Sequence, residues 1–392
     1  MAPKKAEEAP KRVLLGRPGN NVKMGIVGLP NVGKSSMFNI MSKLSVAAEN
    51  FPFCTIDPNV ARVPVPDKRF KELCTMYKPS SEVPAMLTIT DIAGLVKGAA
   101  EGAGLGNAFL SHIRAVDGIF HVCRAFEDKD VTHVEESVDP VRDLEIIHSE
   151  LRKKDMEQCQ TFITNNKNLY EKKVGGKEKQ FEYETIQKAL KVLSEDGKDI
   201  RAVEWEAKEI EILNTMQFLT AKPMIYLVNI SKKAFIAKGN KWLPKIDEFV
   251  KARDCGDLVL PFSVTFEQEC MDAELANGPK GKQEFMKTAG ARTMIPKIIK
   301  SGYEALNLIH YFTAGKDEVR AWSIKVGTLA PKAAGIIHTD FEKGFISADV
   351  MQFDTLVELK TEAAVKAAGK LQMKGRQYEV QDGDIMHFKF NN

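Results

Sequence analysis

The chain is 392 residues long, which leaves room for two or three domains. With 44% hydrophobic and 28% charged residues it has the composition of a soluble globular protein, and no apolar run approaches the ~20 residues that span a bilayer. Its net charge of +3 neither demands nor excludes a nucleic-acid partner, because local patches outweigh the sum.

The chain opens with "MAPKKAEEAPKR", polar and charged, with no apolar core of a signal peptide. Residues 1–20 are expected to be a solvated tail, and "PKK" is read as part of it rather than as a targeting fragment. The six cysteines, Cys54, Cys74, Cys123, Cys159, Cys255 and Cys270, include no CxxC pair. They are expected to be reduced thiols in a reducing compartment.

"VKMGIVGLP" is a short apolar strand running into a Gly/Pro turn, and "AMLTITDIAG", "GIFHVCRAF", "PMIYLVNI" and "DLVLPFSV" repeat the pattern. Such runs suit strands buried on both faces of a mostly parallel sheet. Helical segments such as "SSMFNIMSKL" and "NAFLSHIRAV" lie between them. The fold class is therefore α/β, a doubly wound and mostly parallel sheet.

Between residues 127 and 204 no strand-like run occurs. Val141, Leu144, Ile147 and Leu151 recur at helical spacing, as do Phe181, Ile186, Leu190 and Leu193. The basic "NNKNLYEKKVGGKEK" lies between them, with Gly175 and Gly176 at a turn. This reads as an antiparallel two-helix arm projecting from the sheet; two surface helices packed flat on the domain are the alternative. Further on, "EVRAWSIKVGT" alternates, placing Trp322, Ile324 and Val326 on one face, and "QDGDIMHFKF" does so with Met386, Phe388 and Phe390. "GIIHTDFEKGFISADVM" reads as strand, turn, then helix or strand, so a small mixed β domain of its own is expected to end the chain.

The chemistry is carried by "GLPNVGKSS", which follows the first strand and opens a helix. Gly28, four residues, then Gly33-Lys34-Ser35 is the P-loop spacing. Glycines let successive backbone N–H groups point at phosphate oxygens, and the helix N-terminus adds partial positive charge. The expected nucleotide contacts are Asn31, Val32, Gly33, Lys34, Ser35 and Ser36. Lys34 reaches the β- and γ-phosphates and the Ser35 hydroxyl ligates Mg²⁺. "TITDIAG" adds Asp91 for the same Mg²⁺ and the Gly94 N–H for the γ-phosphate, and Thr55 in "FPFCTIDPN" is placed as a second hydroxyl ligand.

"GLPNVGKSS", "NFPFCTIDPN", "DIAGLVKGAAEGAGLGNAFLSHI" and "YLVN" together closely resemble the Obg-like ATPases, the YchF subfamily of translation-factor P-loop proteins. "FTAGKDEVRAW" and "AAGIIHTDFEKGFISADV" resemble their TGS domain, a ubiquitin-like β-grasp module. The resemblance covers nearly the whole chain. It implies a discontinuous nucleotide-binding domain (21–126 and 205–303), an inserted helical arm (127–204) and a TGS domain (304–388). It also implies an ATPase that takes GTP less well and associates with ribosomes, through the large subunit or ribosomal RNA. ATP is the expected substrate and Mg²⁺ the cofactor. Asn31 resembles the Asn that binds K⁺ in some relatives; a backbone-organising role is equally open. Neither a membrane nor DNA is an expected partner, and a monomer is expected, in the cytoplasm with the nucleus also open to it.

The base-reading loop departs from guanine-specific relatives. There an Asp three residues after Asn229 accepts hydrogen bonds from guanine; here that position is Lys232, which has donors only. Two lost charge-assisted bonds, each worth roughly 1.5–3 kcal/mol, shift preference by about a hundredfold or more. Asn229 is left to meet adenine N6 and N7, and the resemblance adds the backbone of Ile230. Members of the family often carry Glu where this chain has Lys232. Where many GTPases have a water-orienting Gln, this chain has Leu95, which cannot bond water. Loop closure and the resemblance both point to His112 as the catalytic replacement, a structural histidine being the alternative. Three function classes follow. One is a regulatory ATPase switch, one a nucleotide-stabilised scaffold with incidental turnover, and one an Obg-type GTPase, which the missing Asp opposes.

Overall fold

The computed structural model describes residues 15–16, 20, 22–48, 59–92, 105–128, 131 and 133–391. Among them twelve strands form two six-stranded sheets. The strands are β1 (Lys23–Val27), β2 (Val60–Pro64), β3 (Ser81–Val83), β4 (Met86–Asp91), β5 (Gly118–Arg124) and β6 (Met224–Asn229), then β7 (Leu258–Phe262), β8 (Leu308–Ala314), β9 (Glu318–Lys325), β10 (Phe345–Met351), β11 (Gln372–Lys374) and β12 (Ile385–Phe390). The helices used below are α1 (Lys34–Ala48), α2 (Lys68–Tyr77), α3 (Leu105–Ala115), α4 (Pro140–Glu171), α5 (Gly176–Ser194) and α6 (Ala207–Met216), then α7 (Lys232–Ile236), α8 (Leu243–Ala252), α9 (Val264–Ala289) and α10 (Ile295–Ala305).

The first sheet runs β2-β4-β1-β5-β6-β7. Every residue of β5 and β6 is buried, as their unbroken apolar runs require of strands covered on both faces. β4, β1, β5, β6 and β7 are mutually parallel, and only β2 at the edge runs antiparallel. The doubly wound sheet read from the sequence is therefore the fold. Parallel pairing brings the carboxyl ends of β1, β4, β6 and β7 to one edge, where open α/β sheets bind ligands.

The second sheet runs β11-β10-β12-β8-β9-β3. It is not a sheet of the C-terminal segment alone. β3, from residues 81–83, pairs parallel with β9, Ser81 opposite Glu318. "GIIHTDFEKGFISADVM" also opens in helix where a strand was expected: α11 (Ala330–Ile337) and α12 (Thr339–Lys343) precede β10. A proline in the first turn followed by alanines favours helix over strand. Val326 lies past the end of β9 and is 49% exposed, so it does not join Ile324 in the core.

A polar joint ties the sheets together. Asp67 caps α2, accepting from the Arg69 N–H at 2.6 Å, and its Oδ2 lies 2.7 Å from Arg69 Nη2 and 2.8 Å from Nε2 of His310 on β8. Asp382 completes the joint, 2.9 Å from Arg69 Nη2 and accepting the His310 N–H. Burial alone would raise the Asp67 carboxyl, but the bonds from His310 and Arg69 outweigh it and hold it below the usual carboxylate range.

The arm is anchored more broadly than a bare helix pair. Leu144, Ile147 and Leu151 of α4 belong to the main core. Above them Cys159, Ile186 and Leu193 pack with Ile200, Leu213 and Phe218, so α6, assigned by sequence to the nucleotide-binding part, buttresses the arm. Only the distal part stands free, with Tyr170 stacked on Tyr183 at 4.2 Å. Among the described residues no helix is long and apolar enough to cross a membrane.

A depressed carboxyl stabilises the fold fully above the unfolded pKa of ~3.9 and loses that contribution as pH falls below it. Asp67→Asn is therefore expected to cost about 1–3 kcal/mol at pH 7 in urea unfolding. The gap to wild type should stay constant down to about pH 4 and narrow below it. A gap that widens with acid would show that Asp67 is not the ionised partner of Arg69 and His310.

Candidate nucleotide-binding site

The loop after β1 is shaped by its neighbours. A Cβ on Gly28 would sit 2.3 Å from the Val122 carbonyl oxygen of β5, a backbone atom that cannot step aside. Gly33 has φ +104, a region L side chains rarely adopt, and its Cβ would meet Asn229 Nδ2 at 2.6 Å. Asn31 takes φ 60, which asparagine tolerates. It is exposed and Val32 buried, while Ser35 and Ser36 open to solvent at the start of α1.

The Lys34 side chain is folded back, its Nζ donating to the Leu29 carbonyl at 2.6 Å. Burial lowers its pKa to about 8, and the nearby Asp91 carboxylate partly offsets this. Asp91 ends β4 opposite Ile26. Burial raises its carboxyl, while a hydrogen bond from Ser35 and the charge of Lys34 pull it down. Its Oδ1 is buried with no hydrogen-bond partner. An orphaned carboxylate oxygen beside a serine hydroxyl suits a hard cation such as Mg²⁺. Among the described residues no group of three or more His, Cys, Asp or Glu could hold a metal. A Mg²⁺ ion at Ser35 and Asp91 would draw its remaining ligands from phosphates, waters and the Thr55 hydroxyl expected from the sequence, which lies outside the described residues.

Asn229 is not a free amide. Its Nδ2 donates to the Val32 carbonyl at 3.0 Å, and its Oδ1 accepts the Val264 N–H at 3.2 Å. One N–H and one lone pair remain for a base. The Ile230 N–H is spent on Phe262 of β7 at 2.9 Å, so only its carbonyl could face a ligand, and its side chain is buried. Lys232 does not end in solvent: its ammonium is bonded to Glu269 of α9.

The structure thus brings together Lys34, Ser35, Asp91 and Asn229. His112 is exposed in the last turn of α3. Thr55, Gly94 and Leu95 lie outside the described residues. Sequence reasoning missed Val264 and Glu269. The available signal was the strand-to-helix turn "PFSVTFEQE", another strand end on the ligand edge.

Residues 23–167 match the family model described as a 50S ribosome-binding GTPase, and residues 308–391 match the YchF GTPase C-terminal model, described as a protein of unknown function (DUF933). Obg-like ATPase 1 of Oryza sativa subsp. japonica is 57% identical over the whole of this chain and 98% of its own. The Homo sapiens protein of that name is 53% identical with the same coverage. The chain belongs to the Obg-like ATPase (YchF) family. The solved YchF GTPase of Schizosaccharomyces pombe superposes with a TM-score of 0.89 at 48% identity, covering 96% of this chain and all of that one. A P-loop nucleotide hydrolase fold is what the chain shares with this family.

Asn229→Ala would leave the Val32 carbonyl and the Val264 N–H without partners. The expected cost is about 2–3 kcal/mol in urea unfolding without nucleotide. ATP and GTP affinity should fall together, because the P-loop itself loses its support. Unchanged stability in the nucleotide-free protein would place the amide in base recognition alone.

Proposed function

We propose that the chain is an ATP hydrolase that takes GTP less well and acts as a nucleotide-dependent switch on ribosomes. The observation that carries the base preference is the Lys232–Glu269 pair. The loop position that would accept from guanine holds a donor-only side chain already bonded elsewhere. The name Obg-like ATPase 1 carried by relatives supports the same preference.

In this reading the P-loop N–H groups cradle the phosphates and Lys34 leaves the Leu29 carbonyl to neutralise the β- and γ-oxygens. Ser35, Asp91 and Thr55 would hold Mg²⁺, and the chemistry it would supply when bound is neutralisation of charge on the phosphoryl oxygens. The Gly94 N–H meets the γ-phosphate, and His112 orients the attacking water on loop closure. K⁺ beside Asn31 is an additional candidate. Calorimetry on the purified protein should give tighter ATP than GTP binding; the reverse order sinks the base argument. Single-turnover hydrolysis should fall by about a hundredfold or more in Lys34→Ala and by about tenfold or more in His112→Ala. Wild-type rates in His112→Ala would leave that residue structural.

The partner reading rests on the arm. Lys167, Lys172, Lys173, Lys177 and Lys179 are all exposed near its tip, with Leu169 48% and Val174 51% exposed among them. Lys167 and Lys179 lie near Glu171 and Glu182, in exposed pairs that contribute little. Lysines gain affinity for RNA by releasing counterions, and a second contact from the C-terminal TGS-like sheet would reinforce the first. The description of the matching GTPase model as 50S ribosome-binding favours this partner. The site of action is then the cytoplasm, and a monomer suffices. Ribosome co-sedimentation should weaken steeply with salt and depend on the nucleotide. Changing the five lysines to Gln should flatten the log–log salt slope by roughly 0.7–0.9 for each phosphate no longer neutralised, with ATP affinity intact. An unaltered slope removes the arm from the binding surface and favours a scaffold without RNA contact there.

A further inference from the structure

Lys232 opens α7 directly after the loop that carries Asn229, and Glu269 lies in the second turn of α9, just beyond Val264. Because Asn229 accepts the Val264 N–H, the two helices leave from opposite sides of one hydrogen-bonded joint. The Lys232 ammonium is bonded to Glu269 and lies 5.6 Å from the centroid of Phe285, also on α9. Phe285 packs on Phe266 with centroids 5.4 Å apart, and Phe266 on Phe235 of α7 at 5.0 Å. The lysine is therefore held on α9 by a carboxylate and an aromatic ring together.

We propose that Glu269 is a specificity-determining positioning residue, which keeps the Lys232 ammonium on α9 and so withholds a cationic donor from the edge of the purine. The proposal rests on the reading that the Asn229 loop meets the base. On the edge that a carboxylate at this position reads, guanine offers N1–H and its exocyclic amine, both donors, whereas adenine offers N1, an acceptor. An ammonium has donors only. Released from Glu269, it gains a bond at adenine N1 and meets donors on guanine. The loop thus lost the carboxylate that selects guanine, and it also restrains a side chain that would select adenine outright. Side chains of Lys232 and Glu269 are 38% and 36% exposed, so the pair contributes little to folding and can be opened without loss of the fold.

The test is the ratio of GTP to ATP affinity, measured by calorimetry with both nucleotides on each variant. Glu269→Ala is expected to lower that ratio about three- to tenfold. Glu269→Asp, which keeps the carboxylate, should stay nearer to wild type. In a Lys232→Met background Glu269→Ala should leave the ratio unmoved, because no ammonium remains to be released. A general loss of fold weakens both nucleotides alike and leaves the ratio where it was. An unchanged or raised ratio in Glu269→Ala, or an equal fall in the Lys232→Met background, overturns the proposal. A wild-type preference for GTP would fail the ATP reading, yet the change on Glu269→Ala would still be legible by itself.

Discussion

The nucleotide edge depends on a single buried amide. Asn229 holds the P-loop by the Val32 carbonyl and the start of α9 by the Val264 N–H. Three loops that follow three different strands are thereby fixed to one another. Gly33 must be glycine because this amide occupies the space a Cβ would need. A buried amide left unpaired is costly, so once the strands are in register the geometry has little freedom. The parallel pairing of β5, β6 and β7 sets that register, with Arg124 opposite Asn229 and Asn229 opposite Phe262.

The arm is joined to the same strands, and by polar groups rather than by apolar packing alone. Tyr226 of β6 and His148 of α4 share a hydrogen bond at 2.8 Å. Asp155 of α4 accepts three bonds from Leu219 and Thr220, just before β6, and burial pushes its carboxyl up to about 6 despite those donors. Asp199, after α5, is paired with Arg253 at the end of α8, and Arg201 with Asp257. Buried ion pairs are weak contributors to net stability, but losing one partner strands the other. The network therefore does less to strengthen the fold than to specify how the arm's base sits on the sheet. β6 carries the arm's contact Tyr226 in its middle and Asn229 at its end.

The parts legible in the sequence are those with a short period or a short spacing. Apolar runs betrayed the buried strands, and the Gly28 to Ser35 spacing betrayed the phosphate loop, because both are local requirements. What escaped was non-local. Of the Ile230 backbone, the N–H is used by β7 and only the carbonyl is left, and nothing near Ile230 in the sequence says which. Nothing near Lys232 announces its partner, because Glu269 stands thirty-seven residues away. β3 is three residues long and pairs with a strand far along the chain, so no pattern marked it as part of the second sheet. Helix α11 is a different failure, since the proline and alanines that favour it are local and in plain view.

Two groups on the phosphate side of the site already have partners within the protein. Lys34 has the Leu29 carbonyl and Ser35 has Asp91. Nucleotide binding must replace these bonds, so affinity reflects only the surplus of the new contacts over the old. The exchange is favourable where a buried group gains more than it gives up. An ammonium whose pKa burial has lowered to about 8 gains from a polyanion far more than from a neutral carbonyl. The orphaned Asp91 Oδ1 gains a cation at no loss of an earlier bond. On the proposed reading, binding energy would be concentrated at the phosphates, and a base would meet only the one N–H and one lone pair that Asn229 has left. A site so arranged would grip triphosphates firmly and discriminate bases weakly.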